Sequence, residues 1–403
     1  MPENTDFYYH KSVAFRFWKQ DLRFRTSQQL FSSYSIDIGT KFLLRSIVEA
    51  GYPPFQRILD VGCGYGPLGL TLKSLYPDSL VHLFDRDALA VAYSKQNAEL
   101  NGLTGVEIYG SLGYDDVKRN DFDLIVANIP DHVGETIIAY LLHESRYYLA
   151  PGGITAVVVV APLEEIVVKI LAEIPGSEII LKRNRKGHAV FHYRFSDVNT
   201  PPKPEKSALE RGIYHRQNIT MRLDNLKYTM RTASGLPEFD SLSYGSELLA
   251  DALENLRGGE YNNAVVYNPA QGHIAVSVWK YLQPDTITLI DRDLLALRYS
   301  QLNLSLNDCP ADRISILHQA GLDFNSKGKS DLIAGVLRDE GKDAAFLLLD
   351  NASARLTVKG TIIFSGSSTA ITRLVAYVES QNLLRIKTRE RRRGYSLLAL
   401  DRW

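Results

Sequence analysis

The sequence is poor in sulfur: its 403 residues include two cysteines, Cys63 and Cys309, and three methionines. Two thiols so far apart exclude a disulfide framework and a zinc centre built on thiolates, and a reducing cytoplasm is the expected compartment. An excess of charge of one sign is missing as well, because 46 basic residues face 46 acidic ones. Without a global field to hold the chain on a polyanion, any contact with nucleic acid must come from local patches. Long hydrophobic runs are absent too. No window approaches the ~18 apolar residues a membrane helix needs, and the longest candidate, around Val157–Val160, reads as a buried strand. The opening MPENTDFYYHK lacks the apolar core of a secretion signal. Neither a membrane nor a metal ion is expected as a partner.

What the chain does contain is a copy of itself. LFDRDALAVAYSKQNAELNG, starting at Leu83, aligns without gaps to LIDRDLLALRYSQLNLSLND, starting at Leu289, with 11 of 20 positions identical. The same offset pairs Gly39–Leu43 with Gly245–Leu249 and Gly66 with Gly272, and nearly the same offset pairs Asp123–Ile125 with Asp331–Ile333. The duplication therefore covers nearly the whole chain. Residues 197–212, DVNTPPKPEKSALERG, are rich in proline and charge and are expected to link two domains, 1–196 and 213–403.

Each copy alternates short apolar runs with helical patterns. RILDVG, LVHLFD, FDLIVAN and ITAVVVVA read as strands, and Asp87–Asn101 has apolar residues at helical spacing. Such alternation predicts an α/β fold in each half: a doubly wound, mostly parallel sheet with helices on both faces. In sheets of this kind ligands bind beyond the carboxyl ends of the strands, so the residues following each strand carry the functional argument.

After the strand ending at Asp60 comes a glycine-rich turn, with Gly62, Gly64 and Gly66 alternating before a helix that opens at Pro67. Gly64–Gly69 also satisfies G-x-G-x-x-G, so the pattern alone does not separate a dinucleotide from another nucleoside cofactor. Charge does separate them. A carboxylate at Asp60 would repel a pyrophosphate but attract the ammonium and sulfonium of S-adenosylmethionine. Asp85, at the next strand tip and followed by Arg86, can accept hydrogen bonds from both ribose hydroxyls. In the second copy Asp60 becomes Val266, Gly62 becomes Asn268 and Gly64 becomes Ala270, while Gly272 and Asp291 remain. That copy is expected to bind no cofactor.

ILDVGCGYGPLGL, the FDRD segment and FDLIVANIP resemble the Rossmann-like methyltransferases, specifically the methyltransferase small domain family. The lead-in, residues 1–38, is read as a lid, with Phe31 and Asp37-Ile38-Gly39 its most family-like positions. The two-copy architecture resembles that of ribosomal RNA guanine 2-amino methyltransferases, although there the active domain is the second and here the intact motifs are in the first. The resemblance implies two tandem methyltransferase-like domains with S-adenosylmethionine as cofactor of the first. It also implies an adenine contact just past the third strand, at Ser111 and Leu112. Asn128-Ile129-Pro130-Asp131 is similar to the Asn-Pro-Pro-aromatic motif of enzymes that methylate exocyclic amines. There the amide oxygen and a backbone carbonyl accept the amine hydrogens and aim the lone pair at the methyl group. The resemblance thus implies catalytic roles for Asn128 and Pro130 and a further cofactor contact for Asn128, while Asp131 is a candidate catalytic general base for an oxygen or ring-nitrogen acceptor, or else an exposed loop acid. This chain lacks the aromatic at position 131, leaving His132, Tyr114 or Phe31 as rings for stacking, or a different acceptor.

Two basic stretches stand before the final strand of each copy: Lys182, Arg183, Arg185 and Lys186 in the first, and Arg389, Arg391, Arg392 and Arg393 in the second. Both are expected as hairpin loops at the sheet edge, where they could meet RNA phosphates. The expectation is thus an S-adenosylmethionine-dependent methyltransferase acting on RNA, with a guanine amine of ribosomal RNA first in line and the second domain docking the substrate. A methyltransferase for a small molecule or protein, and a non-catalytic RNA-binding pair, remain the alternatives.

Overall fold

The structure, a computed structural model, describes residues 6–196, 202–223, 226–322, 328–381 and 383–402. The expected linker residues 197–201 lie outside this set. Two compact units result, Tyr8–Tyr214 and His215–Trp403.

The first unit opens with a hairpin, β1 (Lys11–Phe17) and β2 (Gln20–Thr26), followed by α1 (Ile38–Glu49), β3 (Arg57–Val61) and α2 (Pro67–Leu75). Next come β4 (Leu80–Asp85), α3 (Ala88–Leu100), β5 (Val106–Gly110), β6 (Phe122–Asn128) and α4 (Glu135–Glu144). The unit closes with β7 (Leu149–Val160), α5 (Glu164–Glu173), β8 (Ser177–Arg185) and β9 (His188–Phe195). Its seven-stranded sheet has the order β5-β4-β3-β6-β7-β9-β8. Strands β3 to β7 are parallel, while β9 and β8 form an antiparallel hairpin at the edge. The runs read as strands are β3, β4, β6 and β7. The helical pattern is α3, with Asp87 as its N-cap accepting the Leu89 amide.

The second unit repeats the plan. It begins with β10 (His215–Leu223), β11 (Leu226–Ala233), α6 (Tyr244–Glu254), β12 (Asn263–Tyr267) and α7 (His273–Leu282). Then follow β13 (Thr286–Asp291), α8 (Leu294–Leu306), β14 (Ile314–His318), β15 (Ser330–Val336) and α9 (Lys342–Arg355). Last come β16 (Leu356–Ser367), α10 (Ser368–Gln381), β17 (Leu384–Arg392) and β18 (Tyr395–Arg402). The sheet order β14-β13-β12-β15-β16-β18-β17 is that of the first unit, strand for strand.

Both sheets bury apolar residues on their two faces, as parallel strands covered by helices must. Leu59, Leu124, Ile125, Val126 and Phe191 are fully buried in the first unit, and Leu289, Ile333, Ile362 and Phe364 in the second. At roughly 1.5–3 kcal/mol for each fully buried large side chain, these strands supply the main stabilisation of each unit.

The lead-in hairpin docks on the helices. Phe15, Phe17, Leu22 and Phe24 are buried beneath it, and Asn97 of α3 and Asn101 at its C-cap satisfy the open edge of β2. Asn97 accepts the Arg25 N–H at 2.7 Å and donates to the Arg25 carbonyl at 3.1 Å, and Asn101 does the same for Arg23 at 2.9 and 2.7 Å. Asn303 repeats the arrangement with Arg231 at 2.8 Å in both directions, and Asn307 donates to the Thr229 carbonyl. The hairpin meets the glycine loop through Phe24, whose ring lies 6.0 Å from that of Tyr65, and the segment after it, residues 27–37, meets the loop where the Tyr65 hydroxyl donates to the Ser32 carbonyl at 3.1 Å.

Residues 202–214 pack against the first unit. Ala208 is fully buried, and its N–H donates to Asp115 at 2.7 Å. Arg211 pairs with the buried Glu144 at 3.0 Å, and the Lys203 ammonium lies 4.2 Å from the centre of the Tyr148 ring. Among the described residues no helix is long and apolar enough to cross a membrane, and no group of three His, Cys, Asp or Glu side chains could hold a metal ion.

Candidate active site

In the first sheet the chain runs outward from β3 to β4 and β5 on one side and from β6 to β7 on the other. A crevice therefore opens beyond the carboxyl ends of β3 and β6. The tips of β3, β4 and β6 carry Asp60, Asp85 and Asn128.

The glycine loop has the shape its composition demands. Gly62, Gly64 and Gly66 all take left-handed backbone angles, φ 73°, 57° and 92°. A Cβ at Gly62 or Gly64 would meet nothing within 4 Å, whereas one at Gly66 would fall 2.7 Å from the Leu70 side chain. Gly66 is thus fixed by packing. The other two need their φ and keep a bare backbone turned to the crevice.

Asp60 lies beneath this loop. It is 1 % exposed, and its carboxylate accepts the Gly69 N–H at 2.8 Å, fastening strand to helix. Burial raises its pKa from the usual carboxylate range to about 7, with the Gly69 bond opposing the shift and the neighbouring Asp85 adding to it. Asp60 therefore acts on the crevice through the backbone it holds and through its charge. Asp85 is half-buried and braces the same loop: one carboxylate oxygen accepts the Gly64 N–H at 2.9 Å and the other accepts the Asp87 N–H at 2.9 Å. Burial lifts it to about 6. Arg86 follows, half-buried, at the head of α3.

At the end of β5, the buried Ser111 donates its hydroxyl hydrogen to the Gly113 carbonyl at 2.6 Å, and its amide is held by the Asp85 carbonyl. The Leu112 N–H is taken by Asp116 at 3.1 Å. The Leu112 N–H, expected to face an adenine, is thus already engaged by an acid four residues on.

Asn128 ends β6. Its amide nitrogen donates to the Asp37 carboxylate at 2.9 Å and to the Thr40 hydroxyl at 3.0 Å. Asp37 also caps α1 through the Thr40 N–H at 3.0 Å. Ile129 is buried, and Pro130 and Asp131 are exposed beyond it. Asp131 pairs with His132 at 3.1 Å, both side chains facing solvent. Sequence reasoning noticed Asp37 as a family-like position without seeing its partner. The Asp-x-x-Thr spacing of an N-cap was the available signal.

Most of the two basic stretches lies in strands β8 and β17, and only Lys186-Gly187 and Arg393-Gly394 form the turns, both left-handed as two-residue hairpins require. Several of these cations are already engaged. Lys182 pairs with Glu164 and Arg183 with Glu49, both at 2.6 Å. Arg392 bonds Asp251 at 2.9 Å, Arg389 and Arg391 donate to Thr372, and Arg393 donates to the Tyr244 hydroxyl. Among the described residues, Arg185 and Lys186 have no acidic partner.

The second unit keeps the loop and sends side chains across the crevice. Asn268, Ala270 and Gly272 have φ 54°, 50° and 98°, close to their counterparts. The Asn268 amide donates to the Val336 carbonyl at 2.8 Å. Arg338 closes a short ion pair on the fully buried Asp291, and Arg292 pairs with Glu340 at 3.1 Å, both side chains nearly buried. A cavity of about 240 Å³ remains, lined by Glu238, Ser246, Ala270, Asp293 and Arg338 among others.

Comparison with known proteins places this architecture. The methyltransferase small domain family model matches residues 21–187. The protein YbxB of Bacillus subtilis is 36 % identical over 142 residues, 35 % of this chain and 69 % of its own length. Ribosomal RNA small subunit methyltransferase C of Pseudomonas entomophila is 43 % identical over 128 residues, 31 % of this chain and 37 % of that one. Ribosomal RNA large subunit methyltransferase G of Shewanella woodyi is 32 % identical over 150 residues, 34 % of this chain and 35 % of that one. The chain thus aligns with only about a third of each ribosomal RNA methyltransferase. A T. thermophilus 16S rRNA N2-guanine methyltransferase, solved with AdoMet and guanosine, shares the fold over 98 % of this chain and 99 % of its own, with TM-score 0.67 and 17 % identity.

Proposed function

Because this chain belongs to the methyltransferase small domain family, we propose that its first unit binds S-adenosylmethionine and transfers the methyl group to an exocyclic amine of ribosomal RNA, a guanine 2-amine first in line. The observation that carries this reading is the meeting of the glycine loop, Asp85 and Asn128 at the switch point of one sheet. The cofactor supplies an electrophilic methyl group on a positively charged sulfur. Gly62 and Gly64 let the backbone approach it closely, Asp85 accepts from the ribose hydroxyls, and Asp60 and Asp85 set a negative potential that suits its charge. Asn128 accepts an amine hydrogen through its amide oxygen and holds the nitrogen lone pair in line, with the Pro130 segment shaping the entrance. A neutral aromatic amine attacks without a strong base and loses its proton afterwards, so no general base is needed at Asp131.

Arg185 and Lys186 are the cations of the first hairpin that remain available for phosphate, and the second unit is read as a substrate-docking module. Localisation in the cytoplasm follows from the substrate. A small-molecule or protein acceptor is favoured by one feature: Asp131, exposed and paired with His132, stands where the related motif has a stacking ring.

Calorimetry with S-adenosylhomocysteine tests the donor half. One site per chain is expected, weakened on the order of a hundredfold by Asp85→Ala through lost charged hydrogen bonds, and absence of binding sinks the reading. Transfer of tritiated methyl to ribosomal subunits, followed by nucleoside analysis, tests the acceptor half, and label in N2-methylguanosine is the expected product. Label confined to protein or small molecules in an extract would move the substrate to the second class.

A further inference from the structure

The hydrogen bonds of Asn128 identify the kind of atom its site accepts. A carboxylate can only accept, so the Asn128 group facing Asp37 at 2.9 Å must be its NH2 and not its oxygen. The second amide hydrogen goes to the Thr40 hydroxyl, which is 3 % exposed. Both donors are consumed, and among the described residues the amide oxygen accepts nothing. We propose that Asp37 and Thr40 are positioning residues that lock the Asn128 amide with its oxygen outward, so that the site takes a methyl acceptor bearing N–H and rejects bare ring nitrogens and carbonyl oxygens. This inference rests on the reading of Asn128 as the acceptor-facing group.

The second unit provides an internal contrast. There Asn128 is replaced by Val336, and Asp37 and Thr40 by Ser243 and Ser246, so the amide and its lock are missing together. Ser243 still caps its helix, accepting the Ser246 N–H at 3.2 Å, and the Ser246 hydroxyl turns to Glu238 at 2.7 Å. Helix capping at this position therefore does not need a carboxylate. The Asp at 37 does something else, and its bond to Asn128 is what distinguishes it.

That contrast also supplies a variant expected to fold. Asp37→Ser keeps the cap in the form the second unit uses, while removing the acceptor that faces the amide. Asp37→Asn goes further: its own NH2 can donate to the Asn128 oxygen and turn the amide over, presenting donors where an acceptor is needed.

Two readouts decide the matter. In the full-length protein with 15N label, the Asn128 side-chain pair, assigned by its loss in Asn128→Asp, is expected to be protected from exchange and to lose that protection in Asp37→Ser. This arm needs no substrate. In methyl transfer to ribosomal subunits, kcat is expected to fall on the order of a hundredfold in Asp37→Asn and less in Asp37→Ser, with affinity for S-adenosylhomocysteine unchanged in both. Wild-type kcat in both variants, or an Asn128 pair indifferent to residue 37, overturns the lock. An intact lock in a wild-type protein that labels no RNA would instead overturn the proposed RNA substrate, leaving the lock standing.

Discussion

The loop after β3 and the loop after β12 have nearly the same backbone and different surroundings. Three left-handed residues occur in each, yet the first loop spends three glycines on them and the second an asparagine, an alanine and a glycine. The turn is therefore held by the strand, the helix and the final glycine, whose added Cβ would collide in both units. What differs lies on the crevice side. Asp60 has become Val266, the Asn268 amide reaches across to β15, and Arg338 sits on the acid that in the first unit is Asp85. In the second unit side chains reach across this crevice and narrow it to a cavity of about 240 Å³, while the backbone stayed almost unaltered.

The sharpest way to break this comparison is through Asp60, the buried acid the second unit dispensed with. Its folded pKa is raised, to about 7 from 3.8, so the unfolded chain holds fewer protons than the folded one in between. Stability from this group is complete below about pH 4 and lost as pH rises through about 7. Asp60→Asn keeps an acceptor for the Gly69 N–H and carries no charge. Urea unfolding of the ligand-free protein should show the variant more stable than wild type at pH 8, by up to roughly 4 kcal/mol, and equal to it near pH 4. A pH-independent difference would contradict the burial argument.

Next in size is Arg338→Ala, which leaves Asp291 fully buried without its counter-ion. A loss of about 3 kcal/mol is expected in the unfolding of the second unit, with no change in S-adenosylhomocysteine binding. Appearance of a second cofactor site in this variant would mean that the arginine alone closed the crevice and that Val266 and Ala270 matter little. Smallest is the pair Gly64→Ala and Ala270→Gly. Left-handed alanine costs about 1–2 kcal/mol, so the first should destabilise its unit and the second stabilise its own, each by about 1 kcal/mol in thermal melts. Equal signs would show that the two loops are not conformational equivalents.

Much of this was legible in the sequence where the determinants are local. The strands ending at Asp60, Asp85 and Asn128, the helix capped by Asp87, and the left-handed loop all follow from runs of a few residues. The repeat also marked positions whose reason appeared only in three dimensions: Asn97 and Asn303, identical in the two copies, hold the edge of the lead-in hairpin. What could not be read depends on groups distant in sequence. Asn128 meets Asp37 across 91 positions and Arg183 meets Glu49 across 134, and nothing in either segment names its partner. The same holds for basic residues expected to wait for phosphate. Strand β8 carries Lys182 and Arg183 onto carboxylates of its own unit, leaving Arg185 at the strand's end and Lys186 in the turn to face a polyanion.

The packing of residues 202–214 on the first unit bears on how the chain can be divided. Judged by the repeat, the first copy is finished at Phe195. A polypeptide ended there would lose the arginine that neutralises the buried Glu144, expose the rings of Tyr140 and Tyr148, and leave Asp115 without the Ala208 amide. One ended at Tyr214 would retain all of these. The unit that was inherited and the unit that coheres are offset by a short stretch of chain, and the ancestral seam is not the place to cut.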